Sequence, residues 1–251
     1  KVDEVVEIEL VNYFIKGNIA LTKVDEDYPD NKLSGAVFEV YSDTNGNGKL
    51  DKDDTLLGEM KELDGGVYQM SELRYGKYLV KETKAPTGFV LDENVYAVSI
   101  EENGKTYTVE NKAGVGFINA AQKGSLKIVK TSSDGKVEGF SFRVTGVDYD
   151  QTFKTDKNGE IVIEGLRIGD YTVSEVSDKA SAGYILPADK QVTVKVNATA
   201  IVQMHNEFRD TPKTGDDFNL GLWVSLAALS VVGAGVLGFV GYKNRKKKKE
   251  D

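Results

Sequence analysis

Most of this chain alternates apolar and polar residues over short runs, and clusters of Gly, Asn and Asp separate the runs. A two-residue period is that of strands with one buried face, and its repetition at short intervals predicts an all-β sandwich. Near the C-terminus the pattern changes. Leu220 to Tyr242 is an apolar run of 23 residues without a charge. At about 1.5 Å per residue it is long enough to cross the roughly 30 Å hydrocarbon core of a bilayer. One transmembrane helix is expected over 218–242.

The alternation is itself repeated. Gly17-Asn-Ile-Ala-Leu-Thr-Lys23 aligns with Gly124-Ser-Leu-Lys-Ile-Val-Lys130, and Leu33 to Val40 aligns with Val137 to Val144. Further on, Leu73-Arg-Tyr-Gly-Lys-Tyr-Leu-Val-Lys-Glu82 matches Leu166-Arg-Ile-Gly-Asp-Tyr-Thr-Val-Ser-Glu175. A Gly-aromatic pair follows each, Gly88-Phe89 and Gly183-Tyr184. These are two copies of one domain, expected at 17–123 and 124–208. The first is longer by about fourteen residues between its Lys and its Glu, most of them assigned to Asp43–Asp54.

Parity along the strands gives the chemistry. Ile19, Leu21 and Lys23 share a face, as do Leu126, Ile128 and Lys130. Tyr78, Val80 and Glu82 share another, matched by Tyr171, Val173 and Glu175. An asparagine ends the set, Asn206 on the face of Val202 and Met204, and Asn119 on the face of Val115 and Phe117. Each copy therefore aims a lysine, a carboxylate and a carboxamide into one core. Asn119 precedes Lys130 by 11 positions and Asn12 precedes Lys23 by the same number. Residues 1–16 thus read as the last strand of a preceding copy. Asn111 is the rival to Asn119, because its distance from Glu82, 29 positions, is nearer the 31 between Glu175 and Asn206.

A lysine amine attacks a carboxamide only when neutral, and its pKa in water, near 10.4, prevents that unless an apolar setting lowers it. The same setting keeps a proton on a carboxyl. Such an acid polarises the Asn carbonyl and passes on the proton that leaves with ammonia. Lys23, Glu82 and Asn119, and Lys130, Glu175 and Asn206, are therefore expected to form two Lys–Asn isopeptide bonds.

The insertion carries a second expectation. Asp43, Asn45, Asn47, Asp51 and Asp54 stand at loop positions 1, 3, 5, 9 and 12, the carbonyl of Lys49 at 7 and Gly48 at 6, as in an oxygen-ligand calcium loop. Asp54 replaces the usual long Glu, and a solvated Asn-Gly turn is the alternative. No other cofactor is required. His205, the only histidine, falls on the face opposite the core and reads as solvated.

Composition narrows the function. With no cysteine there is no disulfide framework, thiolate metal site or cysteine nucleophile. The formal charge is −8 and basic residues cluster only at the C-terminal end, which argues against a nucleic-acid partner. No turnover enzyme is visible. Lys1 to Leu10 lacks the pattern of a signal peptide, so the chain is expected to be the C-terminal part of a longer polypeptide.

After the apolar run come Lys243, Arg245 and four lysines, a cationic flank that stays cytoplasmic over 243–251 and turns the preceding domains outward. Trp223 reads as an interfacial anchor. Thr211-Pro212-Lys213-Thr214-Gly215, in the linker 209–217, stands just before the span. Motif, span and tail resemble the cell-wall sorting signal of Gram-positive surface proteins, with Thr211 where that pattern has Leu. The resemblance implies that a sortase cuts between Thr214 and Gly215 and joins Thr214 to peptidoglycan. Separately, Glu82-Thr-Lys-Ala-Pro86-Thr-Gly88-Phe89 resembles the Glu-Thr-x-Ala-Pro-x-Gly-aromatic box of SpaA-like, or Cna protein B-type, domains, whose Pro the second copy lacks. That resemblance covers 17 to about 206 and implies tandem prealbumin-like (Ig-like) sandwiches with self-formed Lys–Asn bonds.

The expected protein is the wall-proximal stalk of an adhesin-type surface protein, its host or matrix ligand carried by upstream domains. A sortase-polymerised pilin subunit is the first alternative. It needs a Tyr-Pro-Lys type acceptor, and Tyr28-Pro29 is followed by Asp30. Adhesin domains that bind ligand themselves are the second.

Overall fold

The computed structural model of the chain describes residues 7–209. The sorting motif, the expected span and the basic tail lie outside the described residues, as does the start of the segment 1–16. Within the described residues every named element is a strand. None of these residues forms a helix long and apolar enough to cross a membrane.

The first copy holds β1 (Lys16–Asp25), β2 (Val37–Ser42), β3 (Thr55–Glu59), β4 (Lys61–Glu62), β5 (Val67–Arg74), β6 (Gly76–Lys84), β7 (Val95–Ile100), β8 (Thr106–Thr108) and β9 (Phe117–Asn119). One sheet runs β4-β5-β1-β8, with β9 also on β1, and the other runs β3-β2-β6-β7. The second copy holds β10 (Lys123–Ser132), β11 (Ser141–Gly146), β12 (Tyr149–Lys154), β13 (Glu160–Arg167), β14 (Gly169–Glu175), β15 (Tyr184–Ile185), β16 (Lys190–Val194) and β17 (Thr199–Phe208). Its sheets run β13-β10-β17-β15 and β12-β11-β14-β16.

Each pair of sheets closes over its own apolar core. Ile19, Leu21, Phe38, Val40, Val80 and Phe117 fill the first, and Leu126, Ile128, Phe142, Val144, Val173 and Met204 the second. Each such side chain contributes about 1.5–3 kcal/mol on burial. In the first core Phe38 meets Tyr68 and Phe117 edge to face, with ring centres 5.1 and 5.0 Å apart. Both copies open on a glycine for one steric reason. A Cβ on Gly17 would lie 2.8 Å from the Lys105 carbonyl oxygen, and one on Gly124 2.2 Å from that of Lys195. Just after each glycine the ladder to the next strand shifts register.

The first and last strands of each copy run side by side and parallel, β1 with β8 and β9, β10 with β17. The chain therefore enters each sandwich at one end of this pair and leaves at the other. In the second copy β17 follows β10 without a break, from Ser125↔Thr199 to Ser132↔Asn206. In the first, Thr108 and Phe117, nine positions apart, pair with Ala20 and Lys23, where Ile201 and Met204, three apart, pair with the equivalent Lys127 and Lys130. The last strand of the first copy is thus split by an excursion of six extra residues.

Most of the other added length lies where the sequence put it. Gly146 and Tyr149 are paired across the two-residue turn Val147-Asp148, whereas β2 and β3 are joined by the long loop Asp43–Asp54.

The two sandwiches meet at a joint built around Arg167. Its guanidinium donates to both Asp25 carboxylate oxygens at 2.7 and 2.8 Å and to Asp27 at 3.0 Å, and it lies over the Tyr28 ring at 4.9 Å. Lys123 adds an ion pair to Asp27 at 3.1 Å. Asp25 is almost wholly buried, so this fork-shaped pairing is the kind that Lys could not replace. Burial alone would raise the Asp25 pKa, but the hydrogen bonds from Arg167 hold it below the usual carboxylate range. Arg74 occupies the equivalent place in the first copy. The Tyr78 hydroxyl donates to the Arg74 carbonyl as the Tyr171 hydroxyl does to that of Arg167. The Tyr75 amide donates to the Ile15 carbonyl as the Ile168 amide does to that of Gln122. Arg74 lies over the ring of Phe14, at 4.2 Å.

Candidate functional site

The lysine, carboxylate and asparagine that strand parity assigns to each core come together in the first copy, whereas in the second the carboxylate and asparagine meet and the lysine amine is turned away. Lys23 and Glu82 are wholly buried and Asn119 nearly so. The Lys23 Nζ stands 3.6 Å from the Glu82 Oε1, donates to the Phe117 carbonyl at 3.2 Å and lies 4.8 Å from the centre of the Phe117 ring. The Asn119 amide donates to both Glu82 oxygens at 2.9 and 3.0 Å. In the second copy the Asn206 amide donates to the Glu175 Oε1 at 2.6 Å. Lys130, also buried, has its Nζ turned to the Thr131 carbonyl at 2.5 Å and lies 4.2 Å from the centre of the Phe140 ring.

Four equivalences show that Asn119 holds the place of Asn206. Asn119 is level with Asp25, two residues past Lys23, and Asn206 is level with Ser132, two past Lys130. The Glu26 amide donates to the Asn119 carbonyl as the Ser133 amide does to that of Asn206. Each asparagine donates to its copy's glutamate. The Gly-aromatic pair grips the chain two residues beyond, Phe89 at Ala121 and Tyr184 at Phe208. Asn111 stands apart from the triad, its amide shared between Asp92 and Ile118. The six added residues explain why its spacing from Glu82 resembles that of the second copy.

The electrostatics suit amide formation. Burial lowers the Lys23 pKa to about 8, with the Glu82 carboxylate opposing. Burial likewise lowers that of Lys130, against Glu175 and Asp134, and raises that of Glu175, against its hydrogen bond from Asn206. Among the described residues the buried side-chain polar atoms without a partner are Asn119 Oδ1, Asn206 Oδ1 and Glu175 Oε2. All three belong to the triads, and leaving such an atom unpaired costs about 1–3 kcal/mol. Turning either amide would bring its Oδ1 onto the glutamate, a contact that needs the carboxyl protonated.

The insertion loop is closed by its own polar groups. Asp43 accepts the backbone amides of Asn47 and Gly48, at 3.1 and 3.0 Å. Asp51 accepts the side-chain amides of Asn45 and Asn47, at 3.0 and 2.8 Å. Asp54 accepts the amides of Thr44 and Asp51, at 3.1 and 2.8 Å. Lys49 donates its amide to Asn47. Asp51 is thus brought together with Asn45 and Asn47, but among the described residues no three His, Cys, Asp or Glu side chains converge as a metal cluster. His205 is exposed, between the Thr131 hydroxyl at 2.8 Å and the Glu207 carboxylate at 3.1 Å.

Strand reading missed two sets of residues. The Arg167 joint was signalled only by the repeated Leu-Arg-x-Gly, and the Asp92, Tyr96 and Asn111 network had no signal, since none of the three recurs in the second copy.

The family model of the SpaA prealbumin-like fold domain matches residues 17–113 and 124–208. Its first match stops before Asn119, which the pairing register nevertheless places level with Asn206. No curated protein matches the chain. Among solved structures, the Bacillus anthracis TIE protein is similar at 26% identity with a TM-score of 0.58, over 78% of this chain and 34% of that one. The minor pilin GBS52 of Streptococcus agalactiae is 17% identical with a TM-score of 0.36, over 80% of this chain and 99% of that one. The shaft pilin SpaA of Lactobacillus rhamnosus GG is 14% identical with a TM-score of 0.34, over 77% of this chain and 98% of that one. The chain spans about a third of the length of the TIE protein.

Proposed function

The chain belongs to the family of SpaA prealbumin-like fold domains, a structural and non-enzymatic family, and on that premise we propose that it is the load-bearing stalk of a Gram-positive surface protein. Two Lys–Asn isopeptide bonds lock it, and sortase joins it to the cell wall through Thr214. The observation that carries the reading is the pair of equivalent triads, in each of which the first strand of a sandwich carries the lysine and the last the asparagine, both buried.

In each triad the lysine passes a proton to the glutamate, and the neutral Nζ attacks the asparagine Cγ while the carboxyl hydrogen-bonds the amide oxygen. A C–N bond forms. The tetrahedral centre collapses with loss of the amide nitrogen, which takes one proton from the attacking amine and the proton first passed to the glutamate, and leaves as ammonium. Lysine and asparagine end as a secondary amide and the glutamate ends as it began. Because the joined strands are parallel, tension entering at the start of the first strand and leaving at the end of the last passes through this amide. The strands between Lys23 and Asn119, or between Lys130 and Asn206, carry none of it.

Outside the described residues, Thr211 to Gly215, the apolar run and the basic tail support wall anchoring by their order alone. The calcium loop stays part of the proposal as a local stiffener, supported by its ligand spacing. So does the reading of residues 1–16 as the last strand of a preceding copy, supported by the bond from Tyr75 to Ile15 that repeats the one from Ile168 to Gln122. A pilin subunit is the second reading, which family membership admits. Against it, Tyr28 of the only Tyr-Pro pair packs on Arg167 in the joint.

Single-molecule pulling on residues 1–208 tests the stalk. Each sandwich should yield almost no added length under load, and Glu82→Ala or Glu175→Ala should release the full length of its own copy. Full extension of the unmodified protein would contradict the reading. For the anchor, wall fragments released by a muralytic enzyme should carry Thr214 joined to a peptide amine. Recovery of intact 215–251 in the membrane fraction would remove wall attachment.

A further inference from the structure

The split in the last strand of the first copy poses a problem that the second copy does not have. Asn206 is held by a ten-residue strand paired along its length, whereas Asn119 ends a strand of three. After Val109 the chain leaves β1, turns through Lys112 to Gly116 and must return in register, or Asn119 misses Lys23 and Glu82. A slip of one residue would turn its side chain to the opposite face.

We propose that Asn111, fixed by Asp92 and Tyr96, is a positioning residue that closes the excursion and sets Asn119 for reaction with Lys23. The inference rests on the isopeptide reading. The Asn111 side chain takes up both backbone groups of Ile118, the residue before Asn119. Its Oδ1 accepts the Ile118 amide at 2.6 Å and its Nδ2 donates to the Ile118 carbonyl at 2.9 Å. It therefore does for β9 what a neighbouring strand would do. The Nδ2 also donates to Asp92 at 2.8 Å, and Asp92 accepts the Tyr96 hydroxyl at 2.7 Å. Asp92 in turn gives its backbone amide to the Glu82 Oε2 at 2.8 Å. One network thus ties the strand that carries the carboxamide to the carboxyl that acts on it. The return is tight at Gly116, where a Cβ would lie 2.8 Å from the Thr22 carbonyl oxygen.

Time-resolved intact mass of refolding 1–208 tests this. The unmodified protein should lose two ammonias. Asn111→Ala should lose the second-copy ammonia at the unmodified rate and the first-copy one at least about tenfold more slowly, because misplacement by about 1 Å costs up to about 100-fold. Tyr96→Phe, which keeps both bonds to Ile118, should slow it less, and it serves should Asn111→Ala leave the first copy unfolded. Equal rates for both variants and the unmodified protein would overturn the role. So would a first-copy bond that survives Asn119→Ala and maps to Asn111. An unmodified protein at full sequence mass would instead remove the bond, and this role with it.

Discussion

The two triads carry the same three residues in equivalent places, yet they are held differently. In the first copy the lysine faces its carboxylate at 3.6 Å and the asparagine strand is short and stapled by side chains. In the second the asparagine strand is long and fully laddered, but Lys130 is turned to its neighbour's carbonyl and Glu175 is only partly buried. The same three residues therefore do not need one scaffold. Register brings the asparagine to the lysine, and either a continuous ladder or a side-chain clamp can supply it.

The comparison breaks most directly at the carboxyls. Glu82→Ala and Glu175→Ala should each abolish one bond and leave the other. Closing a loop of about 100 residues is worth about 4.7 kcal/mol by chain entropy, so the affected sandwich should melt about 20 °C lower in calorimetry while its partner's transition stays. If either variant removed both bonds, the triads would not be independent.

The joint offers the next contrast, between equivalent arginines. Arg167→Ala leaves the buried Asp25 unpaired and should weaken the coupling of the two sandwiches by about 3 kcal/mol, seen as separated melting transitions and a broader distance distribution in small-angle scattering. Arg74→Ala, which faces Phe14 instead of a carboxylate pair, should change little. Because the Asp25 pKa is depressed, the coupling is complete above the ordinary carboxylate range and should be lost as pH falls through the lowered value.

A smaller effect sharpens the account of Lys23. In Asn119→Ala the amine stays free, with its pKa lowered to about 8. The unfolded chain then binds more protons between that value and the ordinary lysine pKa, so stability should rise with pH across this window. The unmodified protein, if Lys23 is an amide as proposed, should show no such rise in denaturant titrations. The smallest expected effect is at the loop only the first copy has. Calcium titration should show one weak site, in the range of extracellular modules, that Asp43→Ala removes. A flat titration at millimolar calcium would leave a solvated turn.

The part of this molecule legible in the chain is the part that depends on local alternation. Parity put Lys23, Glu82, Lys130, Glu175 and Asn206 on buried faces because a strand has only two faces to offer. Asn119 was harder, since Asn111 and Asn119 both end an alternating stretch and only contacts between strands, such as the pairing with Asp25 and the bond to Glu82, separate them. The Arg167 joint and the Asn111 staple were not legible. Both join residues far apart in sequence through polar side chains, which strand periodicity does not encode. The orientation of Lys130 was hidden for a related reason, because parity gives the face of a side chain and not its rotamer.

The central claim is chemical and has a direct measurement, the intact mass of purified 1–208 with fragmentation of its cross-linked peptides. The account predicts a mass lower than the sequence by two ammonias, with Lys23 joined to Asn119 and Lys130 to Asn206. A protein at full sequence mass, or bonds mapped to other residues, would contradict it.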